Sequence, residues 1–392
     1  MIYINAVGML NALGHTLDEI QSNLSRQIAP GMKTRSEWLQ SGEACVLGGV
    51  DAELPPIPEH LKQHGSRNNQ LLLAALLQIE PAVTQMIATY GADRVAVIMG
   101  TSTSGLDEAD QFIDAQHNGK QLEGYHYSQQ ELGDPSRFLA KYLELTGPAY
   151  TISTACSSSA RAILAGQRLI DAGIVDAAIV GGADTLSRMP INGFHSLAAL
   201  SPTLCQPFAE NRPGITIGEG SGLLLLSKQP AEIAFLGGGE SSDSYHMSAP
   251  EPSGKGAENA ILMALAAANL TPQDIGYINL HGTGTVLNDA MESTVINRLF
   301  GDAVPCSSTK PLTGHMLGAA GVGEAALCWL LLKANLALPK QHFTDLPQDL
   351  SLPSCGLMTV DTPLEKPIML SNSFAFGGNN CALVIGRVPH AV

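Results

Sequence analysis

The stretch Tyr150-Thr-Ile-Ser-Thr-Ala-Cys156-Ser-Ser-Ser-Ala160 runs from an apolar, β-like segment into a thiol, then into small residues and a helical pattern that continues to Ala172. A sulfur is thereby placed where a helix begins. The unpaired backbone N–H groups and the dipole of a helix N-terminus favour thiolate over thiol, so this position is expected to lower the pKa of Cys156 and aim the nucleophile outward. Read alone, Cys156 is equally a buried structural cysteine, the commoner fate of a lone thiol. The rest of the chain decides between the two.

Two histidines stand in matching contexts. His281-Gly-Thr-Gly-Thr285 follows the apolar segment Ile275-Gly-Tyr-Ile-Asn-Leu280, a strand delivering a histidine into a Gly/Thr loop. Ser307-Ser-Thr-Lys310-Pro-Leu-Thr-Gly-His315-Met-Leu-Gly-Ala-Ala-Gly321 is again a short strand signal, a polar turn and a small-residue helix. One such histidine is often a satisfied structural group. Two, with a thiol in the same context, read as one assembled site. A Cys thiolate accepts an acyl group as a thioester, and two imidazoles whose Nε2–H donors point at a carbonyl oxygen stabilise the enolate left when a neighbouring carboxylate departs as CO2. No metal is needed for that chemistry. Zinc is disfavoured because Cys156, His281 and His315 are remote in sequence and none has a second Cys or His ligand within one helical turn. The His-x-x-x-His pair His60 and His64 lies in a polar stretch and reads as solvated surface.

Together, Thr154-Ala-Cys-Ser-Ser-Ser, His281-Gly-Thr-Gly-Thr, Lys310 with Thr313-Gly-His-Met-Leu-Gly-Ala-Ala-Gly, and Asn372-Ser-Phe-Ala-Phe-Gly-Gly-Asn379 resemble the motif set of the elongating β-ketoacyl-[acyl-carrier-protein] synthases of the thiolase superfamily. The resemblance covers the chain from near its start to about residue 386, in the family's order. It implies an α/β protein with a thiolase-like five-layered αβαβα fold of two pseudo-duplicated halves. It also implies that Cys156 is the acyl-accepting nucleophile, its own N–H and that of Phe376 forming an oxyanion hole. His281 and His315 would bind the malonyl thioester carbonyl and promote decarboxylation. Lys310 and Glu324 match the family's lysine and its acidic partner, either supporting catalysis by holding the loop of the second histidine or forming an ordinary half-buried ion pair. Thr283 and Thr285 would hydrogen-bond the phosphopantetheine arm or merely shape the turn. Phe374 and Phe376, before Gly377-Gly378, would form an aromatic gate. Phe194 and Met189 are candidates for the acyl tunnel. No cofactor is implied, because the substrates ride on the phosphopantetheine of an acyl carrier protein. A homodimer or a heterodimer with a ketosynthase-like subunit is expected.

Composition agrees with an enzyme of this size. The chain has 392 residues, 45% hydrophobic, with 40 Gly and 23 Pro, enough for a large core threaded by loops. Seven scattered cysteines give no disulfide framework and point to a reducing cytoplasm. Met1-Ile-Tyr-Ile-Asn-Ala-Val-Gly reads as a first strand rather than a leader. The apolar run Ala325–Leu332 ends at Lys333, too short to span a bilayer, so membrane insertion is not expected. A formal net charge of −15 excludes nucleic acid as a general partner. It also opposes an acidic carrier protein, so docking calls for a local basic patch. Lys62 and Arg67, joined by Arg137 and Lys141, are candidates for it or simply a solvated helix face.

The chain also repeats itself weakly. Val95 to Ser104 resembles Gly276 to Thr285, and Tyr150 to Ala172 resembles Pro305 to Ala334. Two βαβ-rich halves facing one site explain this, with a boundary at Ser227-Lys-Gln-Pro230: residues 1–230 carry the nucleophile, and 231–392 carry both histidine motifs and the gate.

Some positions depart from the family. Ala209 replaces an Asp that could pair with Arg212, Pro213-Gly214 stands for Asp-Gly, Ala375 for Gly and Asn379 for Thr. Proline stiffens its loop and alanine narrows the backbone freedom of the gate. These changes imply a specialised β-ketoacyl synthase, catalysing decarboxylative Claisen condensation of an acyl thioester on Cys156 with malonyl carrier protein in a fatty-acid, polyene or polyketide pathway. The rival reading is a non-catalytic chain-length subunit of a ketosynthase heterodimer, which the intact Cys156, His281 and His315 argue against.

Overall fold

Continuous apolar runs such as Gly222-Leu-Leu-Leu-Leu suit strands covered on both faces, and Gly220–Ser227 is a strand buried along its whole length. The computed structural model describes residues 1–388. The first half contains β1 (Ile2–Leu10), α1 (Leu17–Arg26), a separate pair β2 (Met32–Arg35) and β3 (Cys45–Gly48), α2 (Arg67–Tyr90), β4 (Val95–Gly100) and α3 (Leu106–His117). It continues through α4 (Asp134–Tyr142), β5 (Ala149–Ile152), α5 (Ser158–Asp171), β6 (Ala177–Asp184), α6 (Arg188–Ser196) and β7 (Gly220–Ser227). The second half contains β8 (Ile233–Ser242), α7 (Lys255–Ala268), β9 (Tyr277–Asn279), α8 (Val286–Phe300), β10 (Cys306–Ser307), α9 (Lys310–Thr313), α10 (Ala320–Ala334), β11 (Ile368–Phe374) and β12 (Asn379–Arg387).

The main sheet runs β10-β9-β11-β12-β8-β1-β7-β6-β4-β5. Outward from the centre, each half has the same strand order, β1-β7-β6-β4-β5 and β8-β12-β11-β9-β10, with matching parallel and antiparallel pairings. The halves meet where β1 and β8 pair antiparallel at Ile2↔Phe235 and Tyr3↔Ala234. The segments that resemble one another in sequence occupy equivalent places, β4 with β9, and β5–α5 with β10–α10.

The two parts of the sheet enclose α5 and α10, which pack on each other and on strands of both halves. Small residues allow this. A Cβ on Gly321 would lie 2.7 Å from that of Ala160, and the Val322 N–H donates to Ser159 Oγ at 2.9 Å. Outside, α2 and α4 cover the first half and α7 the second, with α8 packed on α7, which completes the αβαβα layering. One hydrophobic cluster draws on both halves, including Ile163, Leu224, Tyr277 and Leu331. Among the described residues, the helical segments Arg67–Tyr90 and Leu317–Ala334 are long and apolar enough to cross a membrane, so the short run at Ala325–Leu332 understated the second. That segment is the central layer of the fold, 83% buried, which accounts for its apolarity.

Candidate active site

The nucleophile candidate stands at the turn from β5 into α5. Ala155, at φ 51°, is in the left-handed region that disfavours a side chain, and the turn is stapled by the residues after it. Ser158 Oγ accepts from the Thr154 N–H at 2.9 Å and donates to the Ala155 carbonyl at 2.5 Å, while Ser157 Oγ donates to the Thr154 carbonyl at 2.9 Å. The small polar residues following Cys156 are thus the device that bends the chain.

His281 leaves β9 on a loop bent by Gly282 (φ 28°) and Gly284 (φ 84°). Its N–H and that of Gly282 each donate at 2.8 Å to Glu292 on α8, whose carboxylate also accepts from Asn372 Nδ2 at 3.1 Å. His315 is strung beside the segment 213–220: its N–H donates to the Thr216 carbonyl at 2.7 Å and its carbonyl accepts from Gly218 at 3.0 Å.

These elements bring the three groups together. His315 Nε2 lies 2.9 Å from Cys156 Sγ, and the two imidazoles meet edge-on with ring centroids 5.5 Å apart. All three residues are buried. Burial drives the Cys156 thiol up to about 11, against the N–H groups of Phe376 and Cys156, which both favour the anion. This runs against the expected helix-terminus thiolate: desolvation outweighs the two N–H groups and the Lys310 charge, which favours the thiol over the thiolate. Burial, with the Lys310 ammonium adding to it, pushes both histidines well below their ordinary range, so they are neutral imidazoles able to offer N–H groups.

Lys310 and Glu324 form a buried ion pair. Lys310 Nζ also donates to the carbonyl of His281 and lies 3.4 Å from its Nδ1. Its side chain therefore holds the first histidine, and its ion pair with Glu324 spans the segment that carries the second. The sulfur and imidazole nitrogens lie within 4.8 Å of one another, a proximity that sequence separation conceals and a metal ion could bridge. The Lys310 charge beside His281 opposes a further cation there.

Two cavities share Cys156. A shaft of about 290 Å³ is lined by His281, His315, Thr283, Thr285, Phe374 and Phe376, with the two threonine hydroxyls 3.0 Å apart. An apolar cavity of about 470 Å³ on the other side is lined by Leu106, Met189, Pro190, Phe194, Leu197 and Leu317. Phe194 and Phe376 line both, their rings 5.3 Å apart, and so stand between them. The gate loop is pinned: the Ala375 N–H donates to the Asn379 carbonyl at 2.8 Å, and the Gly377 N–H donates to the Met247 carbonyl at 2.7 Å.

Other expected residues sit elsewhere. Arg67 is not a free docking cation, because Glu219 takes two of its N–H groups and the Val50 carbonyl a third. Lys62 is exposed and paired with Glu59. Arg137 is paired with Glu131. Lys141 Nζ lies 3.1 Å from the ring of His64. None of these four lines the shaft. His64 is buried and paired with Asp134 at 2.6 Å, so only His60 of that pair is solvated. Arg212 does not suffer from the alanine at 209: Asp289 lies 3.2 Å away and Asp349 3.0 Å, and it donates to the carbonyls of Ala209 and Val286. Asp184, which the sequence did not flag, accepts from Thr101, Ser102 and Thr103 and from the Ala319 N–H, tying the first half to the turn after His315.

Comparison with known proteins agrees with this geometry. The family description "Beta-ketoacyl synthase, N-terminal domain" matches residues 69–231, and "Beta-ketoacyl synthase, C-terminal domain" matches 232–344. Nodulation protein E of Rhizobium leguminosarum bv. trifolii is 30% identical over 99% of each chain. The 3-oxoacyl-[acyl-carrier-protein] synthase 2 of Synechocystis sp. is 30% identical over 98% of each. A chain of the solved complex of the ketosynthase ApeO with its chain length factor ApeC from Xenorhabdus doucetiae superposes with TM-score 0.97 at 65% identity, covering 99% of this chain and 98% of that one.

Proposed function

Because the chain belongs to the β-ketoacyl synthase family of the thiolase superfamily, we propose that it catalyses decarboxylative condensation of an acyl thioester held on Cys156 with a malonyl thioester, both delivered by acyl carrier protein. The observation that carries this reading is the meeting of Cys156 Sγ with His315 Nε2 at 2.9 Å and with His281 at the base of one shaft.

Cys156 attacks the incoming thioester carbon. Its proton passes by way of His315 to the departing pantetheine sulfur, while the N–H groups of Cys156 and Phe376 stabilise the tetrahedral oxyanion. The malonyl thioester then enters, its carbonyl facing the neutral imidazoles. It loses CO2, and the enolate carbon attacks the Cys156 thioester; the C–S bond breaks, a β-ketoacyl thioester leaves, and the Cys156 thiolate takes a proton from solvent, replacing the one carried off on the pantetheine sulfur. Nothing in these steps requires a metal or other cofactor. Lys310 acts as a positioning residue, fixing the carbonyl and ring of His281.

Likeness to one chain of a ketosynthase and chain length factor complex supports a heterodimer with a ketosynthase-like subunit. A specialised fatty-acid, polyketide or aryl polyene pathway is proposed with it on the altered residues Ala209, Pro213, Ala375 and Asn379, and a cytoplasmic setting on the seven free cysteines. A non-catalytic partner subunit is the rival, and the complete Cys156, His281 and His315 set weighs against it. Intact mass of the protein after incubation with loaded carrier protein and malonyl donor tests the reading. An acyl adduct on Cys156 that disappears as β-ketoacyl product forms is expected; an unmodified protein with its partner present sinks it. Comparing saturated with polyunsaturated or aryl thioesters tests specialisation, which equal use of ordinary saturated chains would refute.

A further inference from the structure

The N–H groups of Cys156 and Phe376 both face the Cys156 sulfur, yet they come from different segments: one sits at the turn into α5, the other in the gate loop between β11 and β12. Two donors can share one oxyanion only while their spacing is held. The first is fixed by the serine staples around Ala155. The second has less to lean on. Beyond its chain neighbours, a Cβ built on Gly377 would meet a single atom within 4 Å among the described residues, Nδ2 of Asn379 at 3.8 Å. Gly377 (φ 85°) and Gly378 (φ 79°) leave this backbone free to swing, so hydrogen bonds must set where Phe376 stands.

Asn379, the first residue of β12, closes the loop. Its carbonyl accepts from the Ala375 N–H at 2.8 Å, and its side-chain Oδ1 accepts from Arg161 Nη1 at 3.1 Å. Arg161 lies in the first turn of α5, where its own N–H donates to the Ser157 carbonyl at 3.0 Å, and so moves with the turn that presents Cys156. Its guanidinium is aimed by a third group. Glu240 on β8 accepts from Arg161 Nε at 2.8 Å, and its other oxygen lies 2.8 Å from Arg168 Nη2. In the pairing of β8 with β12, Glu240 stands opposite Cys381, two residues along from Asn379. Carboxylate, guanidinium and amide thus bridge from helix to strand at the foot of the gate loop. The Arg161 and Glu240 side chains are 23% and 21% exposed, which shields a charge-assisted bond well enough to hold its geometry.

We propose that Arg161 and Asn379 are positioning residues that clamp the gate loop to α5 and keep the Phe376 N–H in register with that of Cys156. The clamp acts on charge that develops on the thioester oxygen, so its loss is felt in the rate of acyl transfer and little in donor binding. The inference rests on the condensing-enzyme reading above.

Acylation of Cys156 is followed by intact mass in single turnovers with acyl-pantetheine, on the assembled enzyme. The wild type is compared with Asn379→Leu, Asn379→Asp, Arg161→Met and the variant carrying both Asn379→Leu and Arg161→Met. Leucine keeps the volume of the amide and loses its acceptor, whereas aspartate keeps the acceptor. Asn379→Leu and Arg161→Met are each expected to slow acylation at saturating donor about tenfold, a fraction of the cost of losing an oxyanion donor outright, with the half-saturating donor concentration within about threefold of wild type. Asn379→Asp is expected to stay within about threefold in rate, and the double variant to be no slower than the worse single one, because both lose the same contact. With an isotope-labelled acyl carbonyl, the infrared band of the wild-type acyl-enzyme is expected at lower frequency than that of Asn379→Leu, because two donors weaken the C=O bond. Equal loss in Asn379→Leu and Asn379→Asp makes the position structural and overturns the proposal. So do single losses that multiply in the double variant, a slowed Asn379→Leu enzyme with an unshifted carbonyl band, or an unchanged rate in either single variant. A wild type that is not acylated overturns the condensing reading and the clamp together, whereas the other outcomes touch the clamp alone.

Discussion

In both halves of the molecule the residue three positions ahead of the central helix lies in the left-handed region, Ala155 before α5 (φ 51°) and Leu317 before α10 (φ 49°), yet the next residue differs. In the first half it is Cys156. In the second it is Gly318, where a Cβ would come within 2.8 Å of the Ser102 backbone nitrogen and of the Asp184 carboxylate. One copy of the turn presents a sulfur, and the other gives up its side chain so that the second half can seat against the first. The loops after β4 and β9 are likewise both anchored by buried carboxylates, Asp184 in one and Glu292 in the other. Duplication supplied two equivalent scaffolds, and the site lies where their roles diverge.

The largest effect comes from erasing the divergence. Cys156→Ala leaves no sulfur at the base of the shaft, and intact mass after incubation with loaded carrier is expected to show no added acyl group; a remaining stoichiometric adduct would place the nucleophile elsewhere. Next, the two histidines can be separated. Either substitution by alanine should slow CO2 release from malonyl thioester by about 10²–10³-fold, the usual cost of one oxyanion donor. Only His315 touches Sγ, so His315→Ala should also slow acylation by about 10²-fold. Single-turnover mass measurements would read this split, and identical acylation in the two variants would remove it.

Glu292 titrates at about 7, burial having raised it above the ordinary 4.5. Between those values the folded carboxyl keeps a proton that the unfolded chain has lost, so its contribution to stability falls as pH rises through that window, by about 3 kcal/mol in all. Glu292→Gln removes that titration. Urea unfolding at a series of pH values should show the variant gaining on the wild type up to about pH 7, and parallel curves would refute the assignment. The smallest effect concerns the turn itself. Ala155→Gly relieves left-handed strain of about 1–2 kcal/mol and gives part of it back in backbone entropy, so a gain of at most about 1 kcal/mol in thermal unfolding is expected. Leu317→Gly, which strips a buried side chain, should instead lose stability.

Much of the site was legible in the chain. Cys156, His281 and His315 each come after a strand signal, and strands of one sheet bring their ends together, so the three meet as their contexts indicate. Thr283, Thr285, Phe374, Phe376 and Phe194 all line the shaft that ends at Cys156. The anchoring carboxylates were not legible, because an acidic residue in a sequence looks like surface. Glu292 did carry a signal: it shares a helix face with Val295 and Ile296, an apolar stripe in which a charged residue needs partners. Arg67 gave no such sign, since Glu219, which holds it, lies on a distant loop.

The sequence by itself determined the residue types, the turns that present them and the doubled plan of strands and helices, because those depend on local propensity and the spacing of apolar positions. Tertiary structure alone decided that burial favours the Cys156 thiol over its thiolate, that both imidazoles are neutral, that Lys310 serves His281, and that Arg67 is occupied. Protonation and pairing depend on how much water surrounds a group and which charges stand near it, and here those neighbours come from segments remote along the chain.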